Sequence, residues 1–181
     1  MSMKLRPPRP QARTMQMKLL SPADCASIMA RGTIPVPARQ LFAFLLYTQL
    51  RLREALALLW THVHLADRSL SVTTPVLRRV RRVPIDDALA PLVANLFASR
   101  DLADVHVFPS GERLNKRLRT AGISAHAARH AGMALLLAGG ESWHSVEERC
   151  GLHVANTAPV GIHTGTPAFP PIPHELFGGW N

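Results

Sequence analysis

The sequence predicts a mainly helical domain that carries one small β-hairpin, an α+β fold with little sheet. Several stretches repeat apolar residues with the 3.6-residue period of a helix, whereas the stretch between Leu65 and Ile85 alternates apolar and polar residues. The chain has 181 residues, of which 47% are hydrophobic and 18% charged, values typical of a globular protein. A single domain of this size can bury a substantial core.

Three helices are predicted between Ser21 and Val63. One begins at Ser21, because Pro22 suits the first helical position and Asp24 completes a capping box with Ser21. Two strongly apolar helices follow, over VPARQLFAFLLYTQL and REALALLWTHV, and we expect both to form the core.

The hairpin and four more helices follow along the chain. SLSVTT alternates, Pro75 interrupts the run, and RRVRRVPI resumes it, which predicts two paired strands. Helices are predicted over DDALAPLVANLFASR, despite its proline, and over the basic stretch GERLNKRLRTAG. A further helix within ISAHAARHAGMALLLAGG is apolar all round towards its end, and SWHSVEERCG predicts a short one.

Both ends of the chain differ from this helical region. Residues 1–17 form a basic, proline-rich arm that cannot bury a core. Residues 158–181 are too rich in proline and glycine for a long helix or a central strand. We therefore expect one folded domain over residues 18–157, flanked by the arm and by an irregular tail.

The charge of the chain predicts a polyanionic partner. Its formal net charge is +9, and only three of its 21 lysines and arginines are lysines. Arginine holds phosphate oxygens in pairs, so nucleic acid is the first expectation and an anionic membrane surface a distant second. We expect no membrane span and no secretory signal, and hence a cytoplasmic protein. Cys25 and Cys150 are too few for a disulfide scaffold or a cysteine zinc site.

The stretch from Ser124 to Gly140 places three potential cations at the start of a helix that should be buried. His126, Arg129 and His130 share one helix face, and buried cations need an anion or a hydrogen-bond network. A helix N-terminus also favours an anion. Half of a metal site is the alternative for the two histidines, but no third ligand is evident, so we predict no metal and no cofactor.

Two further groups of arginines have alternative interpretations. Arg51 lies three residues before Glu54, so it either forms a structural ion pair or binds a phosphate. The hairpin arginines either line a solvated edge or contact DNA phosphates, and the net charge favours DNA. These hairpin residues are Arg78, Arg79, Arg81 and Arg82.

Three stretches, taken in order, resemble the catalytic domain of the tyrosine recombinases, the phage-integrase family. They are LLYTQLRLREALALLW, SLSVTTPVLRRVRRVPI and SAHAARHAGMALLLAGG, and the likeness extends over about residues 20–157. The resemblance implies that fold and a role in DNA integration and recombination by strand breakage and rejoining. It places Arg51, His126, Arg129 and His153 in the catalytic set that surrounds a phosphate, with His130 beside it.

The chain departs from the family at the positions of the nucleophile and of the general acid. An ungapped comparison puts Gly161 at the position of the nucleophilic tyrosine, and the only tyrosine is Tyr47, inside an apolar helix. The family's hairpin lysine, a general acid, falls on Val76. A hydroxyl nucleophile is then missing, so we expect strand cleavage by this chain alone to be impaired or absent.

Smaller departures affect the remaining motifs. Gln49 and Arg53 stand where the first motif has small residues, and Leu152 occupies a histidine position, with His153 one residue late. A tyrosine supplied by another subunit and a frame change in the tail both stay open as explanations.

Duplex DNA is the partner that the sequence predicts, with oligomerisation of the chain on DNA as a further expectation. The first functional interpretation is a recombinase- or integrase-like protein of a mobile element. The alternative is a non-catalytic, regulatory DNA-binding module that keeps the fold. An acidic protein partner is a third interpretation, which predicts no binding to any duplex.

Overall fold

The computed structural model describes residues 19–74, 79–152 and 169–177. These ranges contain seven α-helices, a three-stranded antiparallel sheet and two short 3₁₀ helices. The α-helices are α1 (Pro22–Ala30), α2 (Val36–Thr48), α3 (Leu52–Leu56), α4 (Ala90–Ala98), α5 (Gly111–Thr120), α6 (Ala125–Ala138) and α7 (Trp143–Cys150). The strands are β1 (Val63–His64), β2 (Ser69–Thr74) and β3 (Arg79–Pro84), and the 3₁₀ helices are Trp60–His62 and His174–Phe177. The predicted fold class is confirmed.

The start of α1 has the predicted capping box. Ser21 Oγ accepts the Asp24 N–H at 3.1 Å, and the Asp24 carboxylate accepts the Ser21 N–H at 3.0 Å. Pro22 occupies the first turn, where its missing N–H costs no hydrogen bond. Further along the chain, α4 begins only at Ala90, four residues later than predicted at Asp86, so that Pro91 also falls in a first turn.

The helix predicted over REALALLWTHV is wrong in its extent. The α-helix ends at Leu56, and the following residues turn towards a distant segment. Leu58 O accepts the N–H of Val107, and Trp60 N–H donates to Val105 O. Pairing with this segment overrides the helical propensity of the local sequence, which apolar periodicity alone cannot reveal.

The predicted hairpin is confirmed, and a short third strand extends it. β2 pairs with β3 in antiparallel register, with Leu70 opposite Val83 and Val72 opposite Arg81, and β1 adds to the other edge of β2. Leu70, Val72 and Val83 are buried. Because opposite residues share a face, Arg81 lies on the core side of the sheet. The predicted break at Pro75 lies outside the described residues.

Helix α2 forms the centre of the core, and α6 packs closely against it. Nearly every residue of α2 from Ala38 onwards is buried. A Cβ atom at Gly132 of α6 would lie 2.0 Å from the Leu46 carbonyl oxygen, so only glycine permits this approach. Since Arg129 is one helical turn from Gly132, the same contact sets its side chain near the end of α2. None of the described helices is both long and apolar enough to span a membrane.

Residues 169–177, which belong to the irregular tail predicted over 158–181, pack on α2. Tyr47 Oη donates to Pro170 O at 2.6 Å, and Phe169 stacks on the Tyr47 ring with centroids 4.7 Å apart. Leu176 is fully buried, and its carbonyl oxygen accepts the side-chain amide of Gln40 at 2.7 Å. The segment therefore covers one side of the core and encloses Tyr47.

Candidate functional site

Arg51 lies in the turn between α2 and α3. Gln49 ends α2 in the left-handed conformation, with φ of 50°, and the chain then re-enters a helix with Arg51 as its N-cap. The Arg51 N–H donates to Glu54 Oε2 at 2.8 Å, and its Nη1 donates to Glu54 Oε1 at 3.2 Å. The ion pair that the sequence allowed is thus present, yet 44% of the Arg51 side chain is exposed to solvent.

Glu54 is the common partner of three arginines from separate elements. Its side chain is 1% exposed, and Arg81 of β3 contacts both carboxylate oxygens, at 2.8 and 3.1 Å. Nη1 of Arg129 lies 3.9 Å from Glu54 Oε2. Burial by itself raises the pKa of Glu54, but hydrogen bonds from Arg81 and the Arg51 N–H lower it overall. One carboxylate cannot neutralise three guanidinium groups, so the cluster keeps a net positive charge.

Arg129 enters this cluster from α6 and is almost completely buried. It donates to Gln49 O at 2.6 Å and to Cys150 O at 2.9 Å, so it links the end of α2 to the end of α7. Its side chain is only 5% exposed. Burial is the main cause that lowers the pKa of Arg129, and the charge of Arg51 acts in the same direction. Of the two alternatives for a buried cation, an anion or a hydrogen-bond network, Arg129 thus has the hydrogen bonds to backbone carbonyls.

The C-terminus of α7 brings the three arginines together. Three successive carbonyl oxygens each accept one guanidinium N–H: Arg149 O from Arg81 at 3.0 Å, Cys150 O from Arg129 at 2.9 Å, and Gly151 O from Arg51 at 3.1 Å. The last carbonyls of a helix lack intrahelical partners and carry partial negative charge, which cations stabilise.

Gly151 makes this arrangement possible. It ends α7 in the left-handed conformation, with φ of +63°. A Cβ atom at this position would lie 2.9 Å from Arg81 Nη1. Glycine favours the left-handed turn, and a Cβ atom here would displace the Arg81 guanidinium.

His126 and His130 form a hydrogen-bonded pair on the first two turns of α6. Their Nε2 atoms are 2.9 Å apart, and the rings meet edge to face with centroids 4.2 Å apart. One ring nitrogen must donate and the other accept, so the contact holds one proton and two protonated rings would break it. Burial lowers the pKa of His130, and the charges of His126 and Arg129 lower it further. His126 is exposed and His130 half-buried.

A cavity of about 1130 Å³ connects these groups. Arg51, His126, Arg129 and His130 all line it, so the structure brings the predicted residues of two distant sequence motifs into one site. Its other walls carry Arg53 and Arg119 and several apolar side chains. No aspartate or glutamate is among the described residues that line it. The cavity thus presents positive charge and hydrogen-bond donors within a lining that is otherwise largely apolar.

The hairpin arginines divide between the two faces of the sheet. Arg81 points inwards to Glu54, with its side chain 11% exposed. Arg82 lies on the outer face, 65% exposed, and pairs with Asp67 at 3.1 Å. Arg78 and His153 lie outside the described residues, as does the side chain of Arg79.

Sequence reasoning missed the inward role of Arg81 and the contribution of Arg149. Arg149 donates from Nη2 to Tyr47 O and to Asp86 Oδ2, both at 2.8 Å, and so ties α7 to α2. For Arg81 a signal existed, because it is two residues from the buried Val83 and must share its face. Arg149 follows no local pattern that would single it out.

Among the residues that the structure describes, no third ligand joins the histidine pair in a metal site. The described residues contain no group of three or more His, Cys, Asp or Glu side chains that could hold a metal ion. Chemically, the site offers cationic N–H donors and a hydrogen-bonded imidazole pair. This set can bind an anion and stabilise additional negative charge on it.

Comparisons with known proteins give a match in structure alone. No protein-family model matches the chain, and no curated protein matches it in sequence. Among solved structures, the XerA recombinase matches with a TM-score of 0.63 and 18% identity, covering 73% of this chain and 55% of the other. The integrase of transposon Tn1549, solved in complex with circular intermediate DNA, matches with a TM-score of 0.59 and 17% identity.

The match covers most of this chain and a smaller share of its neighbours. It includes 75% of this chain and 57% of the Tn1549 integrase chain, so the chain spans little more than half of either neighbour. At such low identity the likeness concerns the fold. The chain therefore has the fold of tyrosine recombinase catalytic domains, and its cluster of arginines and histidines is built on that fold.

Proposed function

We propose that the chain is a tyrosine-recombinase-like protein that binds duplex DNA and holds a backbone phosphate in the basic cavity. One observation carries the proposal: Arg51 and Arg129, distant in sequence, meet at Glu54 and line one cavity with His126. A net positive cavity without a lining carboxylate in the described chain suits a phosphate diester. The DNA complex of the Tn1549 integrase, which shares the fold, supports this choice of ligand.

The three residues have different roles in this proposal. Arg51 is half exposed, so its guanidinium can contact a phosphate while Glu54 holds its orientation. His126 is exposed on the first turn of α6 and donates a second hydrogen bond. Arg129 is buried and bound to two carbonyls, so it acts mainly by its charge and by fixing the ends of α2 and α7. Preorganised cations of this kind also lower the free energy of a five-coordinate phosphorus.

Further DNA contacts are proposed outside the cavity. Arg82 is exposed on the outer face of the sheet, so it can approach a backbone phosphate, and Arg79 of the same strand is included on the ground of its sequence alone. Arg78, His153 and the basic arm over 1–17 belong to the same proposal on the ground of their sequence alone. We also propose oligomerisation on DNA and a role in a mobile element.

Tyr47 favours a binding function without strand cleavage by this chain alone. It is the only tyrosine, it is 1% exposed, and its hydroxyl is bound to Pro170 O. Burial raises the pKa of Tyr47 to about 12, with further contributions from the charges of Asp86 and Cys25. It does not line the basic cavity among the residues described. The second candidate function, a non-catalytic DNA-binding regulatory module, is based on this observation.

Replacing Arg51 with glutamine should weaken binding to a duplex about tenfold at about 0.1 M salt, because one phosphate contact is lost. The slope of log K against log salt should become shallower by about one unit. Fluorescence anisotropy with a labelled duplex over a salt series measures both. Arg31→Gln is the matched control, since Arg31 is exposed and does not line the cavity. Equal affinities for the two variants would remove Arg51 from the proposed site.

A nicked suicide duplex should trap no covalent adduct with this chain, although it should bind. The physical reason is that the chain's single tyrosine hydroxyl is buried and hydrogen-bonded away from the cavity. Denaturing electrophoresis of the labelled duplex checks this, with a known tyrosine recombinase on its own substrate as the positive control. Any covalent band would contradict the account, and a Tyr47→Phe variant would show whether Tyr47 or another nucleophile had formed it.

Polyanion affinity should rise as the pH falls from about 7.5 to about 5.5. Burial lowers the pKa of His130 below the ordinary histidine value, so this ring is neutral at the upper end and takes up a proton only at acidic pH. A bound phosphate favours the protonated form of His130, and affinity therefore increases with proton uptake. The His126→Gln/His130→Gln double variant should lose this part of the pH dependence, about tenfold over the range. An identical pH profile in wild type and double variant would refute the role of the pair.

A further inference from the structure

The cavity has a second basic wall that the proposed phosphate site does not use. Arg53 of α3 and both Asn115 and Arg119 of α5 line it. Residues 115 and 119 are four apart on α5, so their side chains leave one face of that helix. Arg53 lies within α3, whereas Arg51 is the N-cap residue that precedes this helix, and both residues line the cavity.

The two walls differ in how their charge is balanced. Arg51, Arg81 and Arg129 share Glu54 and bind carbonyl oxygens at the end of α7. Arg53 and Arg119 are exposed, and neither contacts a carboxylate among the described residues. Their positive charge is thus balanced by solvent ions alone within that part of the chain. Releasing those ions is what drives the binding of a polyanion.

The volume of the cavity is larger than a single phosphate group would fill. Its volume is about 1130 Å³, above the range of about 300–1,000 Å³ that holds whole small ligands. A single phosphate at Arg51 and His126 would leave the wall of Arg53 and Arg119 unoccupied. A ligand with linked phosphates would fill both walls at once, and it would gain the second contact without a second association step.

We propose that Arg53, Asn115 and Arg119 form a second phosphate subsite, so that the cavity binds a strand carrying at least two linked phosphates. The ligand class follows from the proposed function: it is a nucleic acid strand, here one strand of duplex DNA. Arg53 and Arg119 each hold oxygens of the neighbouring phosphate, and the Asn115 amide donates a further hydrogen bond. The subsite then selects against isolated phosphate groups.

Small anions test the subsite separately from DNA binding. In titration calorimetry, tripolyphosphate should bind the full chain at least tenfold more tightly than inorganic orthophosphate. The Arg53→Gln/Arg119→Gln double variant should lose most of this difference and leave orthophosphate binding nearly unchanged. Arg117→Gln, on the same helix but outside the cavity lining, is the matched control and should behave as wild type. Equal loss in the control, or no preference in wild type, would overturn the subsite.

The salt dependence of duplex binding is the second test of the subsite. For the double variant, the slope of log K against log salt should become shallower by about two units, and by less than one unit for Arg117→Gln. If wild type prefers tripolyphosphate through Arg53 and Arg119 but binds no duplex, the proposed function fails and the subsite stands. If Arg51→Gln weakens duplex binding while the double variant does not, the subsite fails and the proposed function stands.

Discussion

Replacing Arg129 with methionine should lower the free energy of unfolding by about 3–5 kcal/mol. The side chain keeps its length but loses its donors to Gln49 O and Cys150 O, which remain buried. The buried Glu54 also loses one of its three counter-charges. Equilibrium urea unfolding measures the change.

The controls for this prediction use an exposed arginine and a double variant. Arg31→Met removes an exposed arginine outside the cluster and should change stability by about 0.5 kcal/mol or less. Combining Arg129→Met with Glu54→Gln should cost less than the sum of the two single changes, because each removes the partner of the other. A loss for Arg129→Met as small as for Arg31→Met would mean that the cluster does not hold α2, α6 and α7 together.

Replacing Gly132 with alanine should lower the free energy of unfolding by about 3 kcal/mol, at the upper end of overpacking effects. The new Cβ atom would lie 2.0 Å from the Leu46 carbonyl oxygen, a backbone atom that cannot rotate away. The two helices must therefore separate. Because Arg129 is one turn from Gly132, the displacement also moves its guanidinium, and duplex affinity should fall with stability. Urea unfolding and anisotropy on the same preparation measure the two effects.

Gly32→Ala is the matched glycine control. A Cβ atom at Gly32 would meet no other atom within 4 Å, so this change should leave both stability and affinity close to wild type. If Gly132→Ala were as stable as Gly32→Ala, the close approach of α6 to α2 would be absent in solution, and with it the placement of Arg129.

The sequence predicts best what depends on short-range patterns. The capping box at Ser21, the hairpin and the helix that carries His126 and Arg129 all follow from periodicity and cap residues within a few positions. The convergence of Arg51 with Arg129 was expected only through the resemblance to the recombinases. Nothing in the local sequence indicates that two residues 78 positions apart contact the same carboxylate.

The features that could not be predicted depend on contacts between residues far apart in the sequence. The end of α3 at Leu56 follows from hydrogen bonds to residues 105–107, and the partners of Arg51, Arg81 and Arg129 are carbonyl oxygens at the end of α7. Backbone acceptors carry no sequence signature, because every residue has one. The inward direction of Arg81 is the exception, since its alternation with Val83 already indicates the core side of the sheet.

A solved structure of the chain bound to a short duplex tests the central claim most directly. The account predicts one backbone phosphate within hydrogen-bond distance, about 2.7–3.2 Å, of both the Arg51 guanidinium and a His126 ring nitrogen, with Arg129 still bound to Gln49 O behind them. A complex in which the duplex contacts only the outer face of the sheet around Arg82, and leaves the cavity empty, would contradict it.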